Sequence, residues 1–79
     1  MSDQFFYIEK ENFTVIVGNL IYEIRTNSNL SQEKLGELTG FDRTYIGAIE
    51  RGEKNVSFYA MYKIFKALKI DATDFINKI

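Results

Sequence analysis

Arg43, Thr44 and Tyr45 follow one another directly behind Asp42, and Arg51, Lys54, Asn55 and Ser57 gather a few residues later. Hydrogen-bond donors predominate in this set, several of them cationic or amide, and such a cluster suits anions and the edges of bases. Arg43 carries a planar fork that can bind a guanine at two points, a contact that discriminates by about 1–3 kcal/mol. Thr44 offers a hydroxyl to a base or a phosphate and a methyl group for thymine. Tyr45 can stack its ring on a groove wall or donate to a phosphate. Arg51, Lys54, Asn55 and Ser57 suit phosphates, which give affinity and register but carry no sequence information. Ser57 is also placed to cap a helix. Gln32 lies at the amino end of another helical segment, where backbone N–H groups and the helix dipole favour a phosphate.

Other chemistry lacks its residues. The chain has no His, no Cys and no Trp. Disulfides are therefore excluded, and the usual zinc ligand sets are absent. No carboxylate pair has supporting context and no glycine-rich phosphate loop occurs, so neither an enzyme nor a metal, cofactor or small-molecule substrate is expected.

The elements that must position these donors are marked by glycines, asparagines and capping residues, since proline is absent. Val17, Leu20, Ile21 and Ile24 have helical spacing and predict a first helix over about 14–27, with a start blurred by the β-branched run Val15-Ile16-Val17. Asn29 is a plausible left-handed residue after it. Ser31 predicts the cap of a second helix, with Leu30 and Leu35 as a hydrophobic staple, and Gly40 ends it. Asp42 caps a third helix, with Phe41 and Ile46 repeating the staple, and Gly52 ends that one. Ser57, between Val56 and Met61, opens a fourth, whose core stripe is Met61, Ile64, Phe65 and Leu68. Asp71-Ala-Thr-Asp74 resembles a capping box and opens a fifth. The expectation is an all-α, compact five-helix domain over 14–79, preceded by an extension, 1–13, in which Phe5-Phe-Tyr-Ile8 is apolar. That extension reads as a strand, a helical turn or an arm docked on a partner.

Leu35, Leu38, Ile46 and Ile49 should lock the second and third helices at a steep angle, leaving the third to protrude into a groove about 12 Å wide. Gly47 and Ala48 on that helix form a small-residue surface, suited either to close approach to DNA or to packing against another helix. Gly36 fits close approach between helices.

The stretch Ser31-Gln-Glu-Lys-Leu-Gly-Glu-Leu-Thr-Gly-Phe-Asp-Arg-Thr-Tyr-Ile-Gly-Ala-Ile-Glu-Arg-Gly52 closely resembles the helix-turn-helix of the Cro/phage-repressor (Xre-like) family. Gly18, Ile21, Arg25 and Ala67-Leu68 also fall where that family expects them. Within it, Asp42-Arg-Thr-Tyr-Ile46, Ile49-Glu-Arg51 and Lys54-Asn55 look most like the controllers of restriction–modification systems. The resemblance implies the phage-repressor fold, with the DNA-binding motif formed by helices 2 and 3. It also implies that Gln32 clamps the DNA backbone and that Arg43, Thr44, Tyr45 and Ala48 face base edges. Arg51, Lys54, Asn55 and Ser57 would hold phosphates. Arg25 and Glu50 would pair behind the DNA-facing surface.

Net charge, −1, looks wrong for such a role, but its distribution does not. Residues 43–69 hold six basic and two acidic residues, and the remainder four basic and nine acidic. A basic stretch on an acidic body attracts phosphate locally. The Lys63, Lys66, Lys69 row reads as a solvated face. A chain of 79 residues is marginal as a lone domain, and without disulfides or metals self-association is the remaining device. Phe65, Phe75, Ile76 and Ile79 exceed what a five-helix core easily buries and are expected at a homodimer interface. No stretch approaches the ~18 apolar residues of a membrane span, and Met1-Ser-Asp-Gln4 lacks the basic start of a signal peptide. A cytoplasmic transcriptional regulator, binding double-stranded DNA as a homodimer on a pseudo-palindromic operator, is the expectation. Its sharpest form is the controller of a restriction–modification operon. The alternatives are a phage or mobile-element repressor, and an antitoxin-like protein that autoregulates its operon.

Overall fold

The computed structural model describes residues 9–79. Five helices form among them: α1 Lys10–Asn27, α2 Gln32–Thr39, α3 Arg43–Glu50, α4 Phe58–Leu68 and α5 Ala72–Asn77. The first reaches four residues further back than helical spacing alone suggested, and so takes up part of what read as an extension. Thr14 lies within the first turns, its hydroxyl donating to the Lys10 carbonyl at 2.8 Å. Val15-Ile16-Val17 is helical despite its branching, because burial of Val17 and Gly18 outweighs a small propensity cost. The apolar Phe5–Ile8 cluster lies outside the described residues.

Each cap named from sequence is made. The Ser31 side chain accepts from Lys34 N–H, Asp42 from Thr44, Ser57 from Ala60, and Asp71 from both Thr73 and Asp74. Three helices close through the same left-handed reversal, in which two successive N–H groups bond back to carbonyls of the last turn. After α1 these are Asn29 to Thr26 and Leu30 to Arg25; after α3, Gly52 to Ile49 and Glu53 to Ala48; after α4, Lys69 to Lys66 and Ile70 to Phe65. Asn29 and Lys69 adopt positive φ without being glycine. The first was legible as an asparagine; the second was not.

Ile21, Leu35, Ile46 and Ile64 are wholly buried and meet at the centre of the molecule, with Val17, Ile49, Leu68 and Phe75 around them. Burying each such side chain contributes about 1.5–3 kcal/mol. Two expectations about packing need correction. Leu38 is 48% exposed: the inward face of α2 runs through Leu35, Gly36 and Thr39, and residue 38 lies a hundred degrees round from Thr39. Thr39 fills the inner place, its hydroxyl donating to the Leu35 carbonyl at 2.8 Å and accepting from Phe41 N–H at 3.2 Å. Phe75, expected at a subunit interface, is 1% exposed and packs on Phe65 with ring centroids 4.9 Å apart. One turn of α5 has a single inward place, and Phe75 takes it.

Close backbone approach fixes how α1 lies on α3. A Cβ at position 18 would overlap the Ile49 carbonyl oxygen and lie 2.8 Å from that of Glu50, so only glycine lets α1 cross the carboxyl end of α3 at this depth.

Candidate nucleic-acid interface

The turn between α2 and α3 is three residues, Gly40 to Asp42. Gly40 takes φ +82°, where a side chain is strained, and Asp42 starts α3 by accepting from Thr44 N–H at 2.7 Å. Arg43 and Thr44 are thereby the exposed opening residues of a helix whose last five residues, Ile46 to Glu50, are buried. Neither carboxylates nor acceptors of the described residues engage the Arg43 guanidinium, since the three ion pairs found there belong to Arg25, Lys34 and Arg51. Tyr45 is half-buried, with Phe41 edge-on at 5.3 Å, and Tyr59 of α4 meets the same Phe41 at 6.5 Å. Phe41 thus orients the Tyr45 ring, and Tyr59 joins this surface without any signal in the sequence, because it depends on where α4 packs. Ala48 is corrected: at 7% exposure its methyl group is turned away from solvent and is not presented to a base edge.

Behind this face, Arg25 and Glu50 pair as expected and do more. Arg25 Nε donates to Glu50 Oε2 at 2.6 Å, Nη2 to Oε1 at 3.0 Å, and Nη1 to the Leu30 carbonyl at 2.6 Å. The hydrogen bond to Glu50 raises the Arg25 pKa above its ordinary value against the opposing effect of burial, so the guanidinium stays charged at every ordinary pH. Gln32 completes the group: its Nε2 donates to Glu50 Oε1 at 3.0 Å. The amide foreseen as a backbone clamp is therefore held in place by the scaffold carboxylate. Eighteen residues separate the two partners, a span over which sequence spacing carries no signal.

Gly47 makes room for side chains from outside its own helix. A Cβ there would lie 3.1 Å from Arg51 Nη1 and 3.4 Å from Gln32 Oε1, so the missing side chain leaves room for two polar heads to converge over α3. Arg51 is held from its other edge by Glu53, Nε to Oε2 at 2.8 Å and Nη2 to Oε1 at 3.2 Å. Lys54, Asn55 and Ser57 are exposed beside them. Ser57 Oγ accepts from Ala60 N–H at 3.1 Å, which leaves its own proton to donate. No cluster of three or more potential metal ligands exists among the described residues.

Phe13, Phe58, Tyr62, Phe65, Ile76 and Ile79 help line an apolar groove of about 500 Å³ between α1, α4 and α5, which Lys54 and Asn55 also border. Of the residues expected at a subunit contact, Ile76 is 55% exposed, and Phe65 and Ile79 are half-buried against the core.

A helix-turn-helix family model matches residues 21–75. The chain belongs to that family. The matched stretch holds every polar residue from Gln32 to Ser57 discussed above, and within the helix-turn-helix family the chain is homologous to restriction–modification control proteins. Control protein C.BamHI of Bacillus amyloliquefaciens is 42% identical over 67 residues, covering 84% of this chain and 83% of the relative. The solved structure of the restriction–modification controller C.AhdI from Aeromonas hydrophila superposes with a TM-score of 0.75 at 42% identity, covering 78% of this chain and 94% of that one. That of the controller C.Esp1396I, a tetramer in complex with its natural 35 base-pair operator, gives 0.77 at 31% identity, covering 82% and 86%. The all-helical fold and the Xre-like helix-turn-helix read from Ser31 to Gly52 are those of the family. No described helix is long and apolar enough to cross a membrane.

Proposed function

We propose that the protein is the transcriptional controller of a restriction–modification operon, working in the cytoplasm as a homodimer on a pseudo-palindromic operator. The observation that carries this is the α2–α3 unit, which presents Arg43 and Thr44 outward at the start of α3 while Glu50 fixes the scaffold at its other end. Arg43, Thr44 and Tyr45 read base edges in the major groove; Gln32, Arg51, Lys54, Asn55 and Ser57 hold the flanking phosphates. The likeness to C.BamHI, C.AhdI and C.Esp1396I supports the restriction–modification setting.

The apolar groove supports the homodimer. A second copy covering Ile76, Ile79 and the exposed rim around Phe58 and Tyr62 would take these apolar side chains out of water. Two-fold symmetry would then set two recognition helices about 34 Å apart, one turn of the duplex.

Selecting bound sequences from a random duplex pool tests the reading. The expected result is a pair of inverted half-sites one helical turn apart, bound with two copies per duplex. Recovery of sequences without shared bases, or of single half-sites bound by one copy, would overturn it.

A further inference from the structure

Glu53 stands where a controller of anionic DNA has least use for a carboxylate, two residues after Arg51 and beside Lys54. Its position is nonetheless built by the fold. Gly52 takes φ +76°, and Glu53 N–H bonds back to the Ala48 carbonyl at 2.9 Å. This reversal returns residue 53 to the carboxyl end of α3 and sets its side chain against Arg51. The contact is two-pointed, 2.8 and 3.2 Å, the same fork that arginine offers a phosphate. Both side chains are more than half exposed, so water and ions reach the pair and nothing buries it. Arg51 Nη1, the edge Glu53 leaves alone, lies over Gly47 beside the Gln32 amide.

We propose that Glu53 is an intramolecular stand-in for DNA phosphate, occupying Arg51 in the free protein and being displaced when Arg51 turns to the DNA backbone, a role that rests on Arg51 being a phosphate contact. Displacement has a specific consequence for salt dependence. A phosphate neutralised by Arg51 releases condensed cations, about 0.9 per contact on B-DNA. The carboxylate set free in the same step attracts a cation from solution and cancels most of that release. Arg51 therefore adds less to the salt slope than its charge implies, and Glu53 lowers affinity for every duplex alike. The carboxylate is a brake on backbone binding. It leaves base reading to Arg43 and Thr44.

The test is a double-mutant cycle on the full chain, with Kd measured against salt on a selected operator and an unrelated duplex. Glu53→Gln keeps shape and removes charge, and circular dichroism checks that each variant stays folded. In the wild-type background Glu53→Gln is expected to tighten binding to both duplexes roughly threefold at ~0.1 M salt and to steepen the slope by up to about 0.9. In an Arg51→Ala background the same change should leave the slope unmoved and give less than half the gain. An equal gain and slope change in both backgrounds would overturn the proposal, because Glu53 would then act only as a field charge. No gain in the wild-type background would overturn it too. If Arg51→Ala binds every duplex like wild type, Arg51 is not a phosphate contact and both readings fall.

Discussion

Arg25 and Glu50, on helices that cross at Gly18, grip each other at two points, 2.6 and 3.0 Å, with under a tenth of either side chain in water. The pair sits at the carboxyl end of α3, opposite the end that presents Arg43 and Thr44, and the same carboxylate holds Gln32. Removing one partner leaves a buried charge unanswered, which costs about 3–5 kcal/mol, whereas exchanging both for apolar residues of like volume is often neutral. Glu50→Ala should therefore lower chemical-denaturation stability by that amount. Arg25→Met with Glu50→Leu should recover most of it. If the double variant is no more stable than Glu50→Ala, the uncompensated charge is not the cause.

Two glycines that look alike in sequence should respond in opposite ways. At Gly18 a methyl group meets backbone carbonyls that cannot retreat; at Gly47 it meets only the ends of two flexible side chains. Alanine inside a helix gains about 0.5–1 kcal/mol over glycine. Gly47→Ala should leave thermal stability unchanged or slightly raised while weakening DNA binding by moving Arg51 and Gln32. Gly18→Ala should lower the melting temperature sharply. A melting temperature for Gly18→Ala equal to that of wild type would show that α1 can slide away from α3.

The contrast marks what could be read in advance. Capping residues and helix-ending glycines act on neighbours in the chain, so Ser31, Asp42, Ser57 and Asp71 announced their helices. The motif from Ser31 to Gly52 announced its family. Packing phase was legible for Ile46 and Ile49 but not for Leu38, because on an eight-residue helix one position separates core from surface. Phe75 was misread because an aromatic near a terminus suits a core or an interface equally, and only the course of α5 decides. Gln32–Glu50 and Tyr59–Phe41 join residues far apart in sequence, and short-range spacing holds no trace of them.

Arg43 opens α3 exposed to solvent, where its fork can reach guanine. Arg43→Ala should cost about 1–3 kcal/mol on the selected operator and relax the preference at one base position of each half-site. Affinity for unrelated duplexes should change far less. Equal losses on all sequences would make Arg43 a backbone contact.

The hydrogen bond from Arg51 holds the Glu53 carboxyl below its ordinary pKa of 4.5. A depressed carboxylate pKa means the pair is fully formed above 4.5 and is lost only as pH falls through the lower, folded value. Side-chain carboxyl NMR of the free protein should show Glu53 titrating below 4.5, and Arg51→Ala should return the midpoint towards that value. A midpoint that does not move with Arg51 would mean that the pair is not populated in solution.

Ile76 is the residue of the apolar groove at which introducing a charge is least confounded by folding. It is 55% exposed, on the outer face of α5, while its neighbour Phe75 holds that helix to the core. An aspartate at 76 leaves the monomer's interior untouched, but in a two-fold contact over this groove it buries a charge from each copy in apolar surroundings where neither finds a partner. Ile76→Asp should sediment as a monomer at micromolar concentration with unchanged helical circular dichroism. Phe75→Ala, by contrast, should unfold the domain by removing a wholly buried ring, at a cost of about 3–5 kcal/mol. A monomeric Ile76→Asp should bind the full operator much more weakly than wild type yet match it on an isolated half-site, because only the linkage between half-sites has gone. A dimer that survives this substitution places the subunit contact elsewhere on the surface.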